Sequence, residues 1–211
     1  MASAIFCALC MMFIDGVIQP PYAVKSAIKL LVFGSFVLPY ALKNRENYFK
    51  IKKKGLLLTV LLSAGVYLLI VGGYFATRSF IDYSGITKSL TADIGVNRDN
   101  FLFVSLYISF VNSLLEEVFF RGYCYLSLRK HLHPGLSLIF SAALFALYHG
   151  GMLVGWFHPA VYALMLFLLF LAGLFLHALD HKADSILPSW LPHMFANFGI
   201  NTVGFLLFAM S

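Results

Sequence analysis

Glu116 and Glu117 stand side by side in SFVNSLLEEVFFRGY, inside an apolar run, with Arg121 four residues beyond the second. A charged side chain at membrane depth is costly, so an acid or base there is a functional hypothesis by default. Glu117 and Arg121, at i and i+4, share a helix face and can neutralise each other. Glu116 is turned about 100° from Glu117, which leaves it without a cation on its own helix and open to another task. His149 closes the apolar run LIFSAALFALYH, with Phe145 one turn before it. In WLPHMFANFGINTVGF, His193, Asn197 and Asn201 recur at a spacing of four, so one face of an apolar helix carries an imidazole and two amides. Taken singly, a buried histidine is ordinarily a satisfied core residue and an amide stripe ordinarily joins helices. Taken with Glu116, they supply a general base, an imidazole and hydrogen-bond donors, which is a hydrolytic set.

Other polar residues carry less. His177 and His181, at i and i+4 and followed by Asp184, have a metal-compatible spacing, but they lie at an interfacial helix end where histidine is ordinary. Cys7 and Cys10 form a single CxxC and Cys124 stands apart. An odd number of cysteines in apolar runs gives no disulfide framework, and small apolar packing is the expected role. Asp15 lies near a helix end.

These side chains must be held by helices that cross a membrane. The 211 residues are 61% hydrophobic and 11% charged, against about 25% charged in soluble domains. Seven apolar runs are long enough to be spans: 2–18, 23–42, 55–76, 101–122, 136–152, 161–179 and 191–210, the first and fifth being short. The predicted fold is all-α, a polytopic transmembrane bundle of about seven helices, organised as one membrane-embedded domain over 1–211. The amino terminus has no basic n-region and reads as a retained first helix rather than a signal peptide. His133-Pro134-Gly135 is a turn, with Glu116 about 27 Å before it and His149 about 22 Å after it if both arms are helical. The two thus reach similar depth on one hairpin. His193, only one or two turns into its helix, reads shallower.

The net charge of +6 is concentrated. Six of the fifteen cations lie in Lys43 to Lys54 (KNRENYFKIKKK) between two apolar runs, which marks a cytoplasmic loop against an anionic leaflet rather than a nucleic-acid surface. Counting loop cations puts the amino terminus inside and the polar loop 77–100 outside. Lys25 and Lys29, at the start of the second run, count against that orientation.

EEVFFRG (Glu116 to Gly122), FALYH (Phe145 to His149) and HMFAN (His193 to Asn197) resemble, in order, the EExxxR, FxxxH and HxxxN motifs of the CPBP family. These are the CAAX-processing prenyl endopeptidases and the bacteriocin-immunity-type intramembrane proteases. The resemblance covers about residues 100–201, the motif-bearing core. It implies an intramembrane endopeptidase in which Glu116 and His149 activate water, His193 and Asn197 form an oxyanion site, and Glu117 and Arg121 support the motif helix. It implies a membrane protein or peptide as substrate and, for so short a chain, a bacterial or archaeal cell membrane. Zinc is the alternative to a metal-free glutamate mechanism, but no HExxH places two histidines on one helix. The expectation is no cofactor, with low-dielectric surroundings raising the proton affinity of Glu116 so that it can act as a base near neutral pH. The rival functions are a non-catalytic immunity or partner-binding membrane protein and, less well supported, a proton-coupled transporter, which would show paired broken helices.

Overall fold

A computed structural model describes residues 1–51 and 55–210. Lys52, Lys53 and Lys54 of the basic loop lie outside the described residues. Those described form eight helices: α1 (Ala2–Ile18), α2 (Tyr22–Asn44), α3 (Leu56–Thr77), α4 (Ser84–Ile94), α5 (Phe101–Lys130), α6 (Pro134–Leu153), α7 (Pro159–Ala183) and α8 (Leu187–Met210). Six of these, α2, α3 and α5 to α8, are long and apolar enough to cross a membrane, and α1 is a shorter apolar helix. The protein is a multi-pass, all-helical membrane protein. The loop expected over 77–100 is only partly a loop, because Ser84–Ile94 is helical.

Local signals explain the turns. Pro134 and Pro159 occupy first-turn positions, where a missing N–H is harmless. His133 and His158 precede them as caps, each Nδ1 accepting from the backbone N–H two residues on, of Gly135 at 3.2 Å and of Ala160 at 3.4 Å. Arg45 and Asp184 end α2 and α7 in the left-handed conformation, a common helix stop. The long α5 is irregular where it matters. Its backbone is π-helical over Ile108–Asn112 and Glu117–Ser127, on both sides of Glu116, and π turns inside helices concentrate at functional sites.

The described part of the basic loop packs onto one end of the bundle. Tyr48 is buried, its hydroxyl bonds Ser127 at 2.8 Å, and its carbonyl accepts from Ile186 N at 2.9 Å and Ser185 Oγ at 3.1 Å. Its ring lies on Gly122, where an added Cβ would come within 3.0 Å of it. Lys50 and Arg129 both bind Asp184, and Lys130 binds Glu46. Partial burial pushes the Asp184 carboxyl up, but Lys50 and then Arg129 outweigh it and hold the group below the usual carboxylate range. This clamp resolves the shallow position expected of His193. The turn before α8 dips to the level of Gly122, so α8 starts inside the bundle and carries His193 deep.

Candidate active site

Glu116 is 2% exposed and Glu117 and Arg121 are fully buried. The two glutamates point to different neighbours. Glu116 Oε1 accepts from Lys29 Nζ at 3.0 Å, Asn112 Nδ2 at 2.9 Å and the Tyr148 hydroxyl at 3.2 Å. Its Oε2 faces His149 Nε2 and His193 Nε2, each at 3.7 Å. The cation beside Glu116 comes from another helix. None lies on its own helix, but α2 supplies one. Glu116 is therefore not a lone carboxylate in a low dielectric, and burial alone does not set its proton affinity.

Glu117 pairs with Arg121 at 3.3 Å as the spacing predicts, yet Arg121 does not monopolise it. Glu117 Oε1 also lies 2.6 Å from His193 Nδ1, and Oε2 accepts from the Ser189 hydroxyl. Since a carboxylate only accepts, Nδ1 of His193 is the protonated nitrogen. The imidazole is thus gripped from both ends, Nδ1 by Glu117 and Nε2 toward Glu116. Arg121 lies over the Phe145 ring, 4.1 Å from its centroid, which gives the second motif's aromatic a physical task. His149 Nδ1 donates to the Phe145 carbonyl at 2.8 Å, so its Nε2 lone pair also faces the Glu116 oxygen. Both imidazoles have the fixed tautomer that such partners impose.

The structure therefore brings Glu116, His149, His193, Glu117 and Arg121 together. Asn197 sits one turn beyond His193, with Nδ2 donating to the Ile108 carbonyl at 3.3 Å. An amide has two N–H donors, so one remains for another acceptor. Asn201 bonds the Ser105 carbonyl and the Ser109 hydroxyl, each at 3.1 Å, and ties α8 to α5. His177 and His181 do not act as a pair. His177 bonds the Gly173 carbonyl of its own helix, and His181 bonds the Tyr125 hydroxyl at 2.6 Å. Cys7 and Cys124 are buried in the apolar core and, with Cys10, are free thiols.

Sequence reasoning missed Asn112, Tyr148 and Lys29 as neighbours of Glu116. It also placed Lys25 and Lys29 among the interfacial charges. They are buried, and Lys25 pairs with Asp15 at 2.9 Å, so neither counts toward the loop charges that set orientation. The signal was available in α2, where Lys25 and Lys29 fall in step with Phe33 and Val37 on the inward stripe.

Among the described residues, no group of three or more His, Cys, Asp or Glu side chains is spaced to hold a metal ion. The orienting acceptors that ligating histidines need are nevertheless present, Glu117 for His193 and the Phe145 carbonyl for His149.

A carboxylate facing two oriented imidazoles within membrane-spanning helices can hold and polarise a water molecule. Residues 98–199, just under half of the chain, match the family model for type II CAAX prenyl endopeptidases, Rce1-like. That segment is similar to the CPBP proteases whose three motifs it carries. Neither a curated protein nor a solved structure matches the chain.

Proposed function

We propose that the protein is an endopeptidase that hydrolyses a peptide bond in the tail of a membrane-associated protein or peptide, with water activated by Glu116 and His149 and without a metal. The observation that carries the reading is the approach of Glu116 Oε2 to Nε2 of both His149 and His193, 3.7 Å in each case. Two atoms so spaced can both hydrogen-bond one water lying off their line. Such a water donates its two protons to Glu116 Oε2 and His149 Nε2, leaving an oxygen lone pair for attack on the scissile carbonyl carbon. Glu116 takes one proton as the C–O bond forms. The resulting oxyanion accepts from the remaining Asn197 N–H, and from His193 Nε2 when that ring enters the cycle as imidazolium, already carrying a proton on each nitrogen. On collapse the C–N bond breaks and the proton held by Glu116 passes to the leaving amine. Each oxyanion donor contributes about 3 kcal/mol in the transition state.

Zinc fits these residues poorly, because it would share the Glu116 carboxylate with the Lys29 ammonium 3.0 Å away.

The test uses purified protein in liposomes with a quenched-fluorescence, farnesylated peptide ending in a CAAX sequence, beside a panel of membrane-helix reporters. Wild type should cleave one of these in the presence of a strong chelator. Glu116→Gln, which keeps the shape and removes the base, should lower the rate by at least about 100-fold. Near-normal turnover by Glu116→Gln would remove the proposed role. A chain that binds but never cleaves would instead be the immunity-type or partner-binding protein.

A further inference from the structure

The two oxygens of Glu116 have opposite surroundings. Oε1 is saturated by three donors from three helices: Lys29 on α2, Asn112 on α5 and Tyr148 on α6. Oε2 is turned to the imidazoles. Asn112 links the donors, because its Oδ1 accepts from Lys29 at 2.7 Å while its Nδ2 donates to Glu116. Lys29 also lies 5.0 Å from the centroid of the Tyr148 ring, within cation–π range.

The position of Lys29 is fixed by its helix. One turn along α2, Phe33 stacks on Phe119 with centroids 3.9 Å apart and packs against Phe120 and Tyr148. One turn the other way, Lys25 is neutralised by Asp15, so Lys29 is the cation of α2 directed at Glu116. Asp15 in turn belongs to α1, which approaches α6 beside His149. An added Cβ on Gly151 would fall 2.6 Å from the Met12 carbonyl oxygen.

We propose that Lys29 is a positioning residue of the active site, pinning Oε1 of Glu116 so that Oε2 alone is presented to water and to the two imidazoles. It also supplies the charge that lets a carboxylate remain at this depth. α2 is thereby part of the working site although it lies outside the segment 98–199 matched by the family. This inference rests on the proteolytic reading given above.

The experiment compares wild type, Lys29→Met and Lys29→Cys on the cleaved reporter in liposomes. Lys29→Cys is assayed before and after 2-bromoethylamine, which rebuilds an ammonium on a thioether of nearly the same length. Wild type treated identically is the control. A misplaced catalytic group costs on the order of 100-fold, so Lys29→Met and untreated Lys29→Cys should lose about that factor in kcat, with KM within about twofold. Aminoethylation should restore at least about tenfold of it. Unchanged kcat in Lys29→Met, or no recovery on aminoethylation, would overturn the proposal. Thermal melting supplies a readout independent of cleavage. Lys29→Met and Glu116→Gln each leave one buried charge unpaired, so the double variant should melt above either single variant. A double variant no more stable than the singles would also overturn it. If wild type cleaves no reporter, the proteolytic reading fails, while the melting cycle still decides whether Lys29 and Glu116 act as a pair.

Discussion

α2 and α3 have nearly the same length, 23 and 22 residues, but differ in how much of each the protein covers. α3 has a mean hydropathy of 2.3 and only 6% of its best spanning window is buried by protein; α2 has 1.4 and 22%. The six spans fall into two groups: α3 and α7, at 2.3 and 2.4, are 6% and 11% buried, while the four at 1.2 to 1.6 are 22% to 56% buried. In water the most apolar segment goes inside. In a bilayer the solvent is itself apolar, so polar groups retreat into the protein, where partners exist. Hydropathy therefore locates these helices in the membrane, and departures from it locate the site.

The comparison predicts where substitutions hurt. The largest effect should come from Glu117→Gln on α5. It leaves Arg121 buried without its carboxylate and weakens the grip on His193, so stability should fall by about 3–5 kcal/mol and cleavage should fall with it. Denaturation in mild detergent, read beside the reporter assay, measures both. Retention of stability would mean that the interior of α5 tolerates an uncompensated charge, and the contrast between the helices would lose its basis. Next comes Gly151→Ala on α6. The added Cβ would meet backbone atoms of Met12 at 2.6 and 3.0 Å, which cannot rotate away, so α1 must shift. A loss at or beyond the upper end of about 1–3 kcal/mol is expected, with His149 displaced and kcat reduced. A neutral result would show α1 to be loosely docked. The smallest effect should be Leu69→Ala on α3, where the side chain is 74% exposed to the membrane side. A change within about 0.5 kcal/mol and unaltered kcat are expected; a large loss would reveal a partner on that face.

The same logic explains what could be read from the residues. Glu116, Glu117 and Arg121 were legible because nothing else in a twenty-residue apolar run explains them. His149 and His193 gained meaning from their order and spacing. Lys25 and Lys29 were not legible in that way. They stand one and two turns into α2, where lysine commonly reaches the interface, and only the inward phase of Phe33 and Val37 marks them as internal. The depth of His193 was hidden for another reason. It depends on Tyr48, a residue 145 positions earlier in the chain, whose carbonyl sets where α8 begins. Helix α4 was hidden by its polarity, which resembles that of a loop.

Tyr48 has one more consequence. Its ring lies on Gly122 and its carbonyl holds Ile186, while Asp184 beside them is clamped by Lys50 and Arg129, so the described part of the basic loop ties α5 to the start of α8. The loop therefore reaches the site through one rod: whatever moves Tyr48 moves Ile186, and α8 carries that movement to His193 a few residues on, so a segment far from the chemistry in the chain acts as its spacer.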